Sequence, residues 1–197
     1  MTEGFLRFAE TLTQRNARRS FEPERQKMDL RIRRFREEDA AAVSEMIIRT
    51  LRITNSKDYP MWMLENLMQR ERPEDQVSLG RRAHFYVAED QGIIVGCGAV
   101  GPGEKSGDPC GIYSIFTAPE YQGKGVGRRI MEALEADEYA AVSGWIELHA
   151  SITGLNFYRK LGYEYKNGFE KPDENLLYTL KKRLGQESIQ PNKRKRG

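Results

Sequence analysis

Apolar and charged side chains begin to alternate at Leu30 and Ile32, set among Asp29, Arg31 and Arg33, which predicts a first strand with one wet face. Ala40, Val43, Met46, Ile47 and Thr50 then recur at helical spacing behind Glu37, Glu38 and Asp39, whose charges suit a helix N-terminus. After a break at Asn55, Ser56, Lys57 and Asp58, Pro60 opens a second helix through Met61, Leu64 and Leu67. Residues 84–88 and 93–100 are apolar runs around Glu89-Asp90-Gln91-Gly92, a hairpin signal, and 110–117 is a further strand. A long helix is expected over about 126–139, with Val126, Ile130, Ala133 and Leu134 on one face. A strand at 145–150, a helix over about 152–161 and closing strands near 163–169 and 175–181 complete the pattern. Upstream, residues 1–27 are a charged extension in which Phe5, Phe8, Ala9 and Leu12 sit at helical spacing, which predicts a short amphipathic helix. The order β-α-α-β-β-β-α-β-α-β-β describes an α+β domain with helices packed on one open sheet.

Composition narrows the class. The 39% hydrophobic fraction and 18 glycines among 197 residues suit one globular domain and exclude a wholly disordered chain. No six apolar residues run together, so no membrane-spanning helix is expected, and the N-terminal segment lacks the apolar core of a secretory signal. Two cysteines, Cys97 and Cys110, argue against a disulfide framework and suit a reducing cytoplasm. They read as small buried thiols on neighbouring strands. Two histidines and no Cys-x-x-Cys point to no metal site. The net charge of +3 is uneven: residues 181–197 hold seven Lys/Arg against one Glu, leaving 25 basic and 28 acidic side chains in the first 180. The basic pI thus belongs to the C-terminus. Without interleaved aromatics, Lys193-Arg194-Lys195-Arg196 reads as a solvated tail, and a nucleic-acid partner is not expected.

The chemistry concentrates at Pro119-Glu120-Tyr121-Gln122-Gly123-Lys124-Gly125-Val126-Gly127-Arg128-Arg129, between a strand and a helix. Three glycines on alternate positions leave the backbone open to a ligand, and the N–H groups of a helix N-terminus favour phosphate. Lys124, Arg128 and Arg129 add full charges, so a diphosphate-bearing ligand suits the turn. A Walker loop is excluded, because Gly125 stands where its Ser or Thr would hold Mg²⁺. The dinucleotide fingerprint fails on the interval between the second and third glycines. Spacing alone also allows a plain tight turn.

The residues Gln122-Gly123-Lys124-Gly125-Val126-Gly127 match the Q/R-x-x-G-x-G/A signature of the GCN5-related N-acetyltransferases, and the chain resembles that family over more than this loop. Ile115-Phe116-Thr117-Ala118-Pro119 looks like its fourth strand, and the segment from His149 through Ser151, Gly154 and Phe157-Tyr158 to Tyr163 like its A-S-x-x-A-x-x-FY-x-K-x-GF segment. The order of elements from Met28 to about Arg183 is also similar, which sets a 28–183 domain between the extension and a basic 184–197 tail. The resemblance implies a GNAT-like, mostly antiparallel sheet flanked by about four helices and splayed between strands 4 and 5. It further implies acetyl-CoA in that gap. Ile115, Phe116 and Thr117 would hold the pantetheine arm. Gln122, Gly123, Lys124, Gly125, Val126, Gly127 and Arg128 would hold the diphosphate. An N–H near Ile115–Phe116 would face the thioester oxygen.

In the second motif Ser151 is a good helix cap, and Ser151, Gly154 and Tyr158 fall on one stripe. A mid-helix Gly154 would be costly unless a ligand passed close by. Tyr158, a phenol protonated at neutral pH, would give its proton to the departing thiolate; the alternative is a plain core aromatic. Many members of the family carry a Glu on the fourth strand, but residues 110–116 contain no acid. Glu147 and His149, which alternate onto one face of the fifth strand, are the base candidates, acting through a water; Asp58, in the loop bordering the acceptor cleft, is a third, and water alone is the remaining alternative. The function expected is transfer of acetyl from acetyl-CoA to the amine of a small molecule or peptide, by direct attack in the cytoplasm. A non-catalytic acyl-CoA sensor, a toxin acetylating aminoacyl-tRNA and a protein-interaction module are the alternatives. Homodimers are frequent in similar proteins.

Overall fold

The computed structural model describes residues 28–103 and 108–185; the helix expected near Phe5–Leu12 and the tail from Gln186 onward lie outside them. One seven-stranded sheet runs in the order β1-β2-β3-β4-β5-β7-β6. Its strands are β1 (Leu30–Arg34), β2 (His84–Asp90), β3 (Ile93–Gly101), β4 (Cys110–Thr117), β5 (Trp145–Ser151), β6 (Glu164–Tyr165) and β7 (Leu177–Arg183). Neighbours are antiparallel except β4 and β5. Among the described residues six α-helices flank the sheet: α1 (Ala40–Ile53), α2 (Met61–Met68), α3 (Pro73–Arg82), α4 (Val126–Glu135), α5 (Glu138–Ser143) and α6 (Leu155–Lys160).

Both faces of the sheet are covered. Val43, Ile47, Leu51, Leu64 and Leu79 of α1–α3 pack with Phe85, Val87, Cys97 and Ala99. Val126, Ile130, Met131 and Leu134 of α4 join Ala88, Val100, Ile146 and Leu148 in the second core. This two-sided burial explains why β2 and β3 read as nearly continuous apolar runs. Gly98 lets α4 seat against β3, since a Cβ there would stand 2.8 Å from Ile130 Cγ2.

Several elements differ from the sequence expectation. The helix α3 was not expected, because only Gln76 and Leu79 of it are buried. Its signals are local ones: Pro73 in the first turn, the Asp75 carboxylate accepting the Arg72 N–H, and Arg81 and Arg82 in the last turn. The helix expected over 126–139 breaks at Asp137, whose carboxylate accepts the Tyr139 N–H and starts α5. Of the strand expected near 163–169 only Glu164–Tyr165 pairs, because the chain then turns through Asn167 at φ 56°. At the C-terminal boundary Leu184 packs on the core and donates its N–H to Gly144 O, one residue past the expected limit.

One irregularity shapes β4. Cys97 opposes Phe116 but Ala99 opposes Tyr113, so Gly98 faces both Ser114 and Ile115. This bulge puts Ser114 at φ 51°, in the left-handed region. Ser114→Gly should hold or raise the urea midpoint. Ser114→Val should lower stability by roughly 1–2 kcal/mol, the scale of left-handed strain; a valine variant as stable as the parent would contradict the strained bulge.

Candidate active site

Parallel pairing between β4 and β5 covers only Cys110↔Ile146, Gly111↔Glu147 and Ile112↔Leu148. Beyond it the strands part, while β5 stays paired with β7 along its whole length. A cleft of about 1140 Å³ opens there, with residues 113–117 on one wall and His149, Ser151 and Tyr158 on the other. The edge of β4 that faces β5 therefore carries backbone groups without a neighbouring strand.

The glycine turn closes one end. Gly123 (φ 73°) and Gly125 (φ 87°) are left-handed, and a Cβ on either would meet nothing within 4 Å. Glycine serves the turn conformation here, and the free space outside it belongs to the cleft. Gly127 instead serves packing, since a Cβ would stand 3.2 Å from Phe157 Cζ. The sequence expectation for the remaining loop residues divides. Arg128 lines the cleft with Gly123, Gly125 and Gly127. Val126 is buried in the core, and the Lys124 ammonium sits over the Tyr121 ring, 5.1 Å from its centroid. Neither lines the cleft. Gln122 lines it but is engaged: its amide donates to Thr117 O and Thr54 Oγ1, both at 3.0 Å, tying the turn to β4 and to the end of α1.

On the opposite wall Tyr158 is 7% exposed, and its hydroxyl has no hydrogen-bond partner among the described residues. Burial pushes its pKa up, so the phenol keeps its proton at neutral pH. Phe157 and Tyr163 hold its ring edge-on at centroid distances of 5.1 and 6.0 Å. Ser151 and Gly154 also line the cleft, with a corrected local structure. Ser151 ends β5, its hydroxyl accepts the Gly154 N–H at 3.0 Å, and α6 starts only after Gly154. The mid-helix cost argued for Gly154 therefore does not apply. A Cβ there would meet Ser151 Oγ and the Tyr158 ring, each at 3.2 Å.

The expected bases fare differently. Glu147 does not line the cleft; its carboxylate pairs with the Lys166 ammonium at 2.8 Å. Asp58 accepts the Thr153 hydroxyl at 2.6 Å and also stands outside the lining. His149 lines the cleft, with Nδ1 3.3 Å from Thr179 Oγ1. A carboxylate that sequence reasoning passed over, Glu71, lines it too. It lies in the α2–α3 loop, where only recognition of α3 could have drawn attention to it. Trp62 of α2 is 62% exposed and lines the cleft with Leu67.

The sequence profile of the acetyltransferase (GNAT) domain matches residues 81–165, which run from the end of α3 through the bulged strand, the glycine turn and Tyr158. Residues 81–165 form a GNAT acetyltransferase domain. A protein of Azospirillum brasilense named IAA acetyltransferase is 31% identical over 102 residues, 49% of this chain and 66% of that protein. The match thus spans just under two thirds of that relative. Among solved structures, the PaiA N-acetyltransferase of Thermoplasma acidophilum in complex with coenzyme A superposes with TM-score 0.68 at 16% identity, covering 79% of this chain and 99% of that one. A GCN5-related N-acetyltransferase of Rhodopseudomonas palustris gives 0.63 at 24% identity, covering 78% and 95%. The protein yncA of Salmonella typhimurium, solved with acetyl-CoA, gives 0.55 at 19% identity, covering 81% and 96%. At these identities the structures share the fold.

One side chain clasps the two sides of the cleft. Tyr59, in the loop between α1 and α2, accepts the Ile152 N–H at 2.8 Å and donates its hydroxyl to Leu176 O at 2.9 Å. Both free thiols are buried, and burial raises Cys110 to about 11, so neither is a nucleophile at neutral pH. Among the described residues no three His, Cys, Asp or Glu side chains gather as metal ligands, and no helix is long and apolar enough to cross a membrane. Tyr59→Phe leaves the Ile152 N–H and the Leu176 carbonyl without this partner and should lower stability by about 0.5–1.5 kcal/mol in urea unfolding. A loss below the measurement error would show that the clasp contributes nothing.

Proposed function

We propose that the protein is an N-acetyltransferase that moves the acetyl group of acetyl-CoA to a primary amine of a small molecule or peptide by direct attack. The observation that carries this reading is the unpaired edge of β4, which runs from the bulge at Ser114 to a left-handed glycine turn at the N-terminus of the ten-residue helix α4. An extended amide-bearing arm ending in a diphosphate fits that shape. The family and the coenzyme A and acetyl-CoA bound in PaiA and yncA support it. Two buried free thiols suit action in a reducing compartment such as the cytoplasm.

When bound, acetyl-CoA supplies an activated acetyl thioester. Residues 115–117 offer main-chain N–H and C=O groups to the pantetheine amides, as a neighbouring strand would. The N–H groups of the glycine turn and the Arg128 guanidinium meet the diphosphate. An N–H near Ile115–Phe116 faces the thioester oxygen, where negative charge grows during attack. Tyr158 Oη holds a proton with no acceptor among the described residues to compete for it. It passes that proton to sulfur as the C–N bond forms and the C–S bond breaks, and recovers one from the amine nitrogen.

Release of free CoA with a panel of primary amines, from 2-phenylethylamine to spermidine and lysine peptides, tests the activity. Binding of acetyl-CoA without turnover of any amine would favour the sensor alternative. Gly125→Glu places a like charge and a side chain in left-handed backbone at the diphosphate end and should abolish acetyl-CoA binding in calorimetry; equal affinity in both proteins would remove the glycine turn from the site. Tyr158→Phe keeps the ring and should lower kcat by about 10²–10³-fold with acetyl-CoA affinity changed only a few-fold, the pattern of a lost general acid. If kcat holds while thermal stability falls, Tyr158 is a core aromatic.

A further inference from the structure

Glu71 sits in the short loop between α2 and α3 and is half-buried on the cleft wall. Its surroundings fix it in place. The Ser44 hydroxyl of α1 donates to its carbonyl oxygen, and Gln76 Nε2 of α3 donates to its Oε2 at 2.8 Å. Gln76 is 1% exposed, and its Oε1 has no partner, so the one hydrogen bond of this buried amide among the described residues is the one to Glu71. Burying an amide at half satisfaction is costly, and here what it yields is a fixed carboxylate.

The position of Glu71 relative to the chemistry follows from the cleft wall it shares. Glu71 lines the same cleft as Tyr113, Ser114, Ile115, Phe116 and Thr117 of β4. It enters that cleft from the α2–α3 loop, on the side of α2 rather than of the glycine turn. The exposed Trp62 and Leu67 of α2 line the same side of the cleft, so an amine bearing an apolar group would reach the carboxylate past them.

Resting on the acetyltransferase reading, we propose that Glu71 is the group that receives the acceptor ammonium and takes its first proton, with Gln76 as its positioning residue. The ammonium gives one proton to the Glu71 carboxylate, and the neutral amine then attacks the acetyl carbon. The second nitrogen proton replaces the one that Tyr158 has given to sulfur, and Glu71 releases its proton to solvent, so amide, free thiol and one proton leave the site.

The electrostatics suit the role. Desolvation raises the Glu71 pKa first, the Gln76 hydrogen bond opposes that rise, and the nearby Asp75 charge adds to it. Cys97 from β3 is neutral, and Arg70 and Arg72 flank Glu71 in the chain, Arg70 lining the cleft and Arg72 paired with Asp75. His149 faces the cleft from β5 and Tyr113 from β4. A raised pKa makes the carboxylate a stronger base, which is the direction that proton abstraction from an ammonium requires.

The test combines a readout that needs no acceptor with two kinetic ones, on the full chain. The carboxyl ¹³C resonance of Glu71, assigned by its absence from Glu71→Gln, should titrate above the ordinary glutamate value of about 4.3. With 2-phenylethylamine as probe, Glu71→Gln should lose about 100-fold or more in kcat and lose the acid limb of the pH profile, while calorimetric acetyl-CoA affinity stays within about twofold. Gln76→Leu removes the bond that favours the charged carboxylate, so the acid limb should move to higher pH. If Glu71→Gln fails to fold, Glu71→Asp serves in its place, with reduced kcat and the limb retained. A Glu71 midpoint in the ordinary range, wild-type turnover in Glu71→Gln, or loss of acetyl-CoA affinity in that variant would each overturn the assignment. Failure of the parent protein to bind acetyl-CoA would instead overturn the acetyltransferase reading itself.

Discussion

A strand pair that stops pairing is the constraint on which the rest of this molecule depends. After three parallel residue pairs β4 and β5 separate, and main-chain groups along 113–117 lose the partner that a continuous sheet would give them. Unpaired main-chain groups must find water or a ligand, so the gap is itself a binding surface for something that presents amides in an extended line. Everything around it keeps the gap open. The bulge at Ser114 bends β4, the Gln122 amide pins the glycine turn to β4 and α1, and Tyr59 joins the α1–α2 loop to the ends of β5 and β7.

Most of the fold was legible in the sequence because its strongest signals are periodic. Alternation around Leu30, the hairpin at Gln91-Gly92 and the face of Val126, Ile130 and Leu134 all correspond to elements in the structure. What was missed has little apolar periodicity. The helix α3 buries only two of its ten residues and is specified by local capping and charge. The split between α4 and α5 hangs on Asp137, whose carboxylate draws Tyr86, His84 and the Tyr139 N–H together from distant parts of the chain. No window of sequence contains that convergence.

The site was legible in the same uneven way. The glycine turn and the Tyr158 segment are local motifs, and both line the cleft. The proposed base could not be found locally, because it depends on which carboxylate the tertiary structure brings to the cleft wall. Glu147 and Asp58 were plausible by position, but Lys166 and Thr153 occupy them. Burial acts on the remaining pair in one direction with opposite uses. It keeps Tyr158 a proton donor, and it raises the pKa of Glu71, the direction that suits a proton acceptor.

The most direct test of this account is amide hydrogen exchange along β4 with and without coenzyme A. The splayed edge predicts new protection at one or more of Ile115, Phe116 and Thr117, together with amides of the 123–127 turn, when coenzyme A is present. Exchange unchanged across both segments, with protection appearing elsewhere or nowhere, would contradict the claim that this gap is the binding site.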